Sequence, residues 1–455
     1  MGKGKRRSAA QAGVPVKPAG RARRASTADQ KDRALAELWA AIAAGDVLHA
    51  EVQTSALAAL PSQLGGSDEQ AEMVIDTFID AALKQDGPVA AAFLRLLMSL
   101  GPRSVKRAAG DALADLIDDD VYPPEWVNSI GKPAPGQAWR VYDVFGDRDV
   151  IAVTFSYPDE AEHVLIVGME LVGPPVVSMA VVNPDGAGLL KMIREELQPW
   201  ESIEQIPLAQ ARRRIEEPLA RAGDNPIIEL GFETAVQVPV ARSRVRRLPS
   251  GDVGPVTEYT AADRAAAVEE FLRSPHAAQA GDPEVARFWA EVLTGYSSRV
   301  PGTPPAQAGP NRLVGVLLGH VPGTFTLSPA QREGMEPAVG AWVRWTAAYQ
   351  DLDEAAAGHL LAKLPETFAD FPDACDDADS VATRAYVRDV ATSDVDVAWL
   401  ADCRNRRELA ASLPGDRDPG VAAIDATDPD GRAVLTAREF ASCAPKGPAG
   451  ERFMA

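Results

Sequence analysis

Cysteine and long apolar runs are both scarce in this chain of 455 residues. The three cysteines, Cys375, Cys403 and Cys443, are far apart and form no Cys-x-x-Cys pair. This spacing predicts neither a disulfide framework nor a cysteine-rich zinc site, and it is typical of a reducing compartment. The longest apolar runs, at 164–167 and 176–182, fall well short of the roughly 20 residues that span a bilayer. We therefore expect no membrane segment.

The common catalytic signatures are missing as well. The sequence has no Gly-x4-Gly-Lys-Ser/Thr loop, no Gly-x-Gly-x-x-Gly between a strand and a helix, no His-Glu-x-x-His and no Gly-x-Ser-x-Gly. The closest two of the five histidines, His320 and His359, are 39 residues apart, so spacing defines no histidine metal site. These absences predict no cofactor and lean against an enzyme.

Charge is distributed unevenly along the chain. The net charge is -19, yet residues 1–28 carry eight basic side chains and no acid, which leaves -27 for the rest. The Gly, Ala, Pro and Ser content of this segment predicts a disordered basic tail. No apolar stretch follows it as in a secretory signal, which predicts a cytoplasmic location. Because the acidic body repels phosphate backbones, non-specific polyanion contact is expected only through the tail.

Residues 29–120 have the pattern of a helical domain. Apolar residues recur at helical spacing in four or five segments that are separated by turns such as Gly87-Pro88 and Gly101-Pro102. Short turns between helices predict antiparallel neighbours. A Pro-rich linker is predicted over residues 121–137.

Residues 138–248 change to a β pattern and are predicted to form an α+β domain. Four short runs, separated by strong turn sequences, are predicted as strands: 139–145, 150–155, 163–171 and 176–182. Connections this short require antiparallel neighbours, which predicts a four-stranded meander. Helices over 189–197 and 208–221 are expected to cover one face. The segment 231–248 remains open between an edge strand and no strand, since Pro239 interrupts an alternating run of valines.

Residues 256–444 are predicted to form a C-terminal helical region with a Pro/Gly-rich link at 300–310. Its helices are predicted at 262–273, 283–296, 329–349, 354–371, 376–390 and 395–413. The sequence therefore predicts an α+β fold in which helices predominate, with a central antiparallel meander between N- and C-terminal helical regions.

The acidic rim of the meander is the best candidate for chemistry. Asp143, Asp147 and Asp149 surround the first turn, and His163 follows the acidic second turn of Asp159, Glu160 and Glu162. Carboxylates beside one imidazole can bind a divalent cation or act in acid/base catalysis. The alternative is ordinary turn chemistry in a chain that is acidic throughout.

A second candidate is a segment with calcium-loop spacing near the C-terminus. Asp428, Asp430 and Glu439 occupy positions 1, 3 and 12 of such a loop. However, Arg432 stands at position 5 and Ala433 at position 6, where the sharp turn needs glycine. A helix that begins after Asp428-Pro429 is the favoured alternative.

A short basic run, Arg242, Arg244, Arg246 and Arg247, stands out in this acidic chain. Arginines of this kind can hold a phosphate or pair with carboxylates. We expect them to pair with the many acids elsewhere in the chain.

Several blocks resemble a group of uncharacterised proteins from high-GC actinobacteria. They are Leu38–Ile42, Gly45–Leu48 with Glu51, Asp143–Asp147, Glu162–Leu165 and Asp425–Asp430. No block is a catalytic signature, so the resemblance implies no activity and no site residues. The resemblance implies that a helix begins at Asp428-Pro429.

The leading functional hypothesis is a cytosolic interaction or regulatory protein whose partner is another protein. The competing hypothesis is a metal-dependent hydrolase that uses the acidic rim. Nucleic-acid contact through the basic tail is a third and weaker hypothesis.

Overall fold

A computed structural model describes residues 27–391, except 64–67, 159, 174, 223–230, 252–255, 298–299 and 301. Over these residues the chain is α+β with helices predominating, as the sequence predicts. The helix predicted at 395–413 and the calcium-like segment with Asp428, Asp430 and Glu439 lie outside the described residues.

Five helices form the N-terminal part, in agreement with the apolar spacing. They are α1 Thr27–Ala44, α2 Val47–Gln63, α3 Asp68–Ala82, α4 Gly87–Leu100 and α5 Arg103–Asp118. Helix α4 is the centre of the packing, because its face of alanine, leucine and phenylalanine is buried. Within the predicted linker 121–137, a 3-10 turn at Glu125–Ser129 adds Val127 to this N-terminal core, and the first strand begins at Ala134.

The four predicted strands are confirmed, and the structure adds a fifth. The strands are β1 Ala134–Asp143, β2 Arg148–Ser156, β3 His163–Glu170, β4 Val176–Asn183 and β5 Glu201–Ile206. All pairs are antiparallel, in the order β4-β3-β2-β1-β5. The meander is therefore a five-stranded sheet, and β5 lies at its edge beside β1.

Helices surround this sheet, and one of them replaces an ambiguous segment. They are α6 Gly186–Glu196, α7 Leu208–Arg221, α8 Phe232–Ala235 and α9 Val238–Val245. The edge strand considered for 231–248 is wrong, because Pro239 stands in the first turn of α9, where a missing N–H costs nothing. Val240 and Val245 are buried as helix residues.

The two faces of the sheet are covered to different extents. On the inner face, apolar side chains such as Ile151, Val153 and Phe155 pack against α7, α9 and parts of α2. On the outer face, a smaller cluster around Val150, Ala152 and Val164 packs against α6. The alternation along β2 produces both faces, since successive strand residues point to opposite sides.

The C-terminal part is a set of short and medium helices around an aromatic core. They are α10 Ala261–Arg273, α11 Pro283–Ser297, α12 Pro310–Val314, α13 Val321–Thr324, α14 Pro329–Glu333, α15 Met335–Tyr349, α16 Glu354–Ala362, α17 Leu364–Asp376 and α18 Ala378–Ala391. A π-helical turn, Gly315–His320, continues α12 into α13. Trp289 and Trp342 are fully buried at the centre. The helix predicted over 329–349 is split at Gly334, and Ala306 and Ala308 of the segment 300–310 are buried in this core.

Candidate functional site

The residues predicted as the acidic-rim site are divided among three ionic clusters, each built around arginine. Asp143 and Asp147 come together, because an Asp143 carboxylate oxygen accepts the Asp147 N–H at 3.0 Å. Asp149 and His163 contact other arginines. Among the described residues, no group of three or more His, Cys, Asp or Glu side chains is arranged to hold a metal ion. Asp159 lies outside the described residues, and Glu160 and Glu162 are exposed.

The Glu51 cluster consists of Glu51, Tyr157, His163 and Arg244, and it is almost completely buried. Arg244 Nη2 donates to Glu51 Oε2 at 2.6 Å, and the Tyr157 hydroxyl donates to the same oxygen at 2.6 Å. The other Glu51 oxygen accepts the Gly131 N–H at 2.6 Å. Since Glu51 lies in α2, His163 in β3 and Arg244 in α9, this cluster connects the N-terminal helices to the sheet.

His163 lies between two aromatic rings in this cluster. It pairs with Phe155 across β2 and β3, and its ring stacks on Phe155 and Tyr157 with centroids 6.0 and 5.8 Å away. Arg244 Nε donates to His163 Nε2 at 3.2 Å, so the imidazole is neutral and accepts on that nitrogen. Burial, together with the Arg244 charge, lowers the pKa of His163 to about 3. A histidine held neutral by an arginine is a poor general acid near neutral pH.

The Asp147 cluster connects the turn between β1 and β2 to α12. Asp147 Oδ2 accepts the N–H groups of Asn311 and Arg312 at 2.7 and 3.1 Å, and the Arg312 guanidinium lies 3.6 Å from Asp147 Oδ1. Arg312 also donates to the carbonyls of Gly146 and Leu171. Both charged side chains are buried. This arrangement uses the Asp147 oxygens for structure.

Asp143 differs from the other rim residues because it lacks an arginine partner among the described ion pairs. Burial, and the neighbouring Asp147 carboxylate, raise the pKa of Asp143 to about 6. Its carboxyl therefore changes charge close to neutral pH. A single carboxyl of this kind can exchange a proton, but it does not form a metal site.

Asp149 is shared by two arginines on the inner side of the sheet. Its two oxygens accept from Arg140 Nε at 2.8 Å and from Arg214 Nη1 at 2.7 Å. Arg140 also lies 3.4 Å from Glu204 of β5, and its guanidinium stacks over the Tyr142 ring. The Asp149 cluster therefore holds β1, β2, β5 and α7 together.

The outer sheet face has less cover than the inner face. We define it by the half-buried apolar residues Trp139, Met179 and Ile203 of the strands. Among the described residues, β5 pairs with β1 alone, so its second edge carries unpaired backbone groups. Gln205 of β5 is exposed on this face, and Ser202 and Glu204 are exposed on the opposite side of the same strand.

The cavities in the described part of the chain are small. One between α11 and α12 and one among the N-terminal helices each have a volume of only about 10 Å³. Pockets that bury drug-sized ligands usually measure roughly 300–1,000 Å³.

Comparisons of this chain with protein-family models, with curated proteins and with solved structures find no match. Among the described helices, none has the length and apolar character that crossing a bilayer requires.

Sequence reasoning missed Glu51, Tyr157 and Arg244 as parts of the cluster around His163. Arg244 lies 193 residues from Glu51 in the chain, so spacing carries no sign of the pair. One usable signal is that Glu51 is the one acidic residue in α2, a helix made mostly of apolar and small residues.

Proposed function

We propose that this chain is an interaction protein that binds a partner protein on its outer sheet face and along the open edge of β5. The observation that supports this most directly is the incomplete cover of that face. The apolar cluster there contains residues of the strands and of α6, and of no other described helix.

The dimensions support the same proposal. A helix of 11 residues is about 16 Å long and about 10 Å wide. Five strands about 4.8 Å apart make a sheet about 19 Å wide between its outer strands. A single helix therefore covers roughly half of this face. Trp139 and Met179 remain half-buried, and aromatic residues and methionine are enriched at protein interfaces.

The edge of β5 favours a partner that contributes an extended segment. Main-chain groups of an open edge can pair with an added strand, while side chains on alternate positions contact the adjoining face. Ile203 points to the outer face, next to Trp139 and α6. A partner strand beside β5 would cover Ile203 and extend the sheet.

Two methionines provide the test. We would place a photo-crosslinking residue at Gln205, which pairs with Trp139 and points to the outer face, in the full chain, identify the partner that it captures in the native cell, and measure the affinity of that purified partner. Met179→Lys on the outer face should weaken binding about tenfold or more, because a charge replaces an apolar contact. Met73→Lys is the control, since Met73 is 67% exposed on α3, away from the sheet. Equal affinity for the two variants and the wild type would contradict the proposal.

A further inference from the structure

A group of basic side chains lies at two adjoining element ends in this otherwise acidic protein. The α5–α9 basic patch consists of Arg103, Lys106 and Arg107 in the first turns of α5, and of Arg246 and Arg247 directly after α9. All five are exposed. The patch carries +5 within a chain of net charge -19.

The packing brings these two element ends together. Leu100, the last residue of α4, lies in the same apolar cluster as Val245 and Leu248. A Cβ placed on Gly131 would lie 3.0 Å from Ser99 Oγ in α4 and 3.5 Å from Ser243 Oγ in α9, so both helices flank one glycine. The turn from α4 to α5 therefore adjoins the end of α9. In agreement, burial together with the Arg246 charge lowers the pKa of Lys106.

The patch is not neutralised by carboxylates from the described part of the chain. Other members of the run 242–247 have partners: Arg242 donates to the carbonyls of Leu219, Ala220 and Ala222, and Arg244 pairs with Glu51. None of the ion pairs among the described residues includes a member of the patch. Asp111, one turn beyond Arg107 in α5, forms no ion pair with it. Within the described part of the chain, Arg246 and Arg247 have none of the acid partners that the sequence predicts for this run.

Gathering like charges without counterions raises the free energy of the fold, and an anionic ligand would offset this. Arginine presents planar N–H donors that match phosphate oxygens bidentately. Partial desolvation by the surrounding protein lowers the pKa of Arg246, so this side chain loses less hydration when it binds an anion. The first turn of α5 has no acid and no side-chain cap, and its helix dipole adds positive potential.

We propose that the α5–α9 basic patch binds the phosphate group of a small phosphorylated ligand. The surrounding chain carries -24 once the five residues are set aside, so it repels an extended polyanion such as duplex DNA. A compact ligand with one or two phosphates meets the patch without crossing acidic surface. This site is distinct from the outer sheet face and does not depend on it.

The test uses the full chain and inorganic pyrophosphate as the probe, titrated calorimetrically at constant ionic strength. We expect a dissociation constant in the micromolar to millimolar range. The double variant with Arg103→Gln and Arg246→Gln should bind about tenfold more weakly or worse, because two charge-assisted contacts are lost. Arg212→Gln is the matched control, since Arg212 is also a surface arginine but is paired with Glu216. The exposed positions allow each variant to fold, which circular dichroism would check.

A second arm distinguishes a soluble phosphate from a lipid headgroup. Phosphatidylcholine vesicles with and without phosphatidic acid are sedimented with the same variants. Patch-dependent binding of pyrophosphate or of phosphatidic acid vesicles supports the proposal and identifies the source of the phosphate. Absence of both, equal binding by the patch variant and the control, or patch-dependent binding of duplex DNA alone would overturn it.

Discussion

Folding shifts the pKa values of Asp143 and His163 in opposite directions. Burial and the Asp147 charge raise the pKa of Asp143 from 3.8 to about 6. Burial and Arg244 lower the pKa of His163 from 6.5 to about 3. Asp143 thus stabilises the fold below pH 4, and this contribution is lost as the pH rises to 6. His163 stabilises it above pH 6.5, and this contribution is lost as the pH falls toward 3.

Between pH 4 and 6 the two contributions to the free energy of unfolding change in opposite directions. Together, these two groups should therefore change the stability of the wild type little over this range. Asp143→Asn removes the contribution of Asp143, which decreases as the pH rises, and keeps a side-chain oxygen that can accept the Asp147 N–H. We expect the free energy of unfolding of this variant to rise with pH more steeply than that of the wild type, by up to about 1 kcal/mol per pH unit. Urea unfolding at intervals across this range measures it.

The matched control is Asp115→Asn, which removes the same charge from an exposed position on α5. Its pH profile should parallel that of the wild type. If the Asp143→Asn profile is also parallel, Asp143 ionises equally in the folded and unfolded states.

At the scale of single side chains, the sequence indicated which residues have unusual surroundings but not what surrounds them. The sequence indicates four candidate residues because they border turns of the meander: Asp143, Asp147, Asp149 and His163. Their partners are separated from them by long stretches of chain: Arg214 is 65 residues from Asp149, and Arg312 is 165 from Asp147. Only packing brings such groups together, so spacing suggested a shared metal site where the structure has arginine pairs.

Among the elements, the turn between β1 and β2 is the most constrained. Gly146 has φ 67°, and a Cβ there would lie 2.5 Å from Gln307 Nε2, which donates to the Phe145 carbonyl at 2.7 Å. Gly146→Ala should therefore lower the free energy of unfolding by about 2 kcal/mol, from left-handed strain and a displaced hydrogen bond. Thermal unfolding followed by circular dichroism measures this change.

Gly358→Ala is the control for this turn. Gly358 lies inside α16, is exposed, and has nothing within 4 Å of an added Cβ. Alanine should stabilise the protein there by about 0.5–1 kcal/mol. In the double variant that combines Gly146→Ala with Gln307→Ala, the added Cβ no longer clashes with the Gln307 side chain. Its loss of unfolding free energy should therefore be smaller than the sum of the losses in the two single variants. Equal melting temperatures for Gly146→Ala and Gly358→Ala would contradict the argument.

Elements with strong local signals were predictable, and elements defined by their neighbours were not. The first four strands are bounded by turn sequences and alternate apolar with small or polar residues. Strand β5 reads Glu-Ser-Ile-Glu-Gln-Ile, whose two isoleucines are three residues apart and point to different faces. It is a strand because β1 offers an open edge. For α9, alternating valines suggested a strand, but the inner face of the sheet required a helix.

Across the whole molecule, ionic clusters fasten the sheet to both helical regions. The Glu51 cluster joins it to α2 and α9, and the Asp147 cluster joins it to α12. Phe145 also extends from the sheet into the C-terminal core, and Trp200 stacks on His359 of α16 at 3.9 Å. Unfolding of the described parts should therefore be coupled, although the sequence suggested separate domains.

The Glu51–Arg244 pair gives the sharpest test of this coupling. Both side chains are fully buried, so Glu51→Ala leaves an unpaired guanidinium beside His163 and should cost about 3–5 kcal/mol in urea unfolding. In the exposed Arg212–Glu216 pair, Glu216→Ala should change stability by less than about 1 kcal/mol. Because the cluster joins α2, β3 and α9, the Glu51→Ala transition should shift to lower urea for tryptophan fluorescence and for circular dichroism together. A shift confined to one probe would mean that the N-terminal helices unfold independently of the sheet.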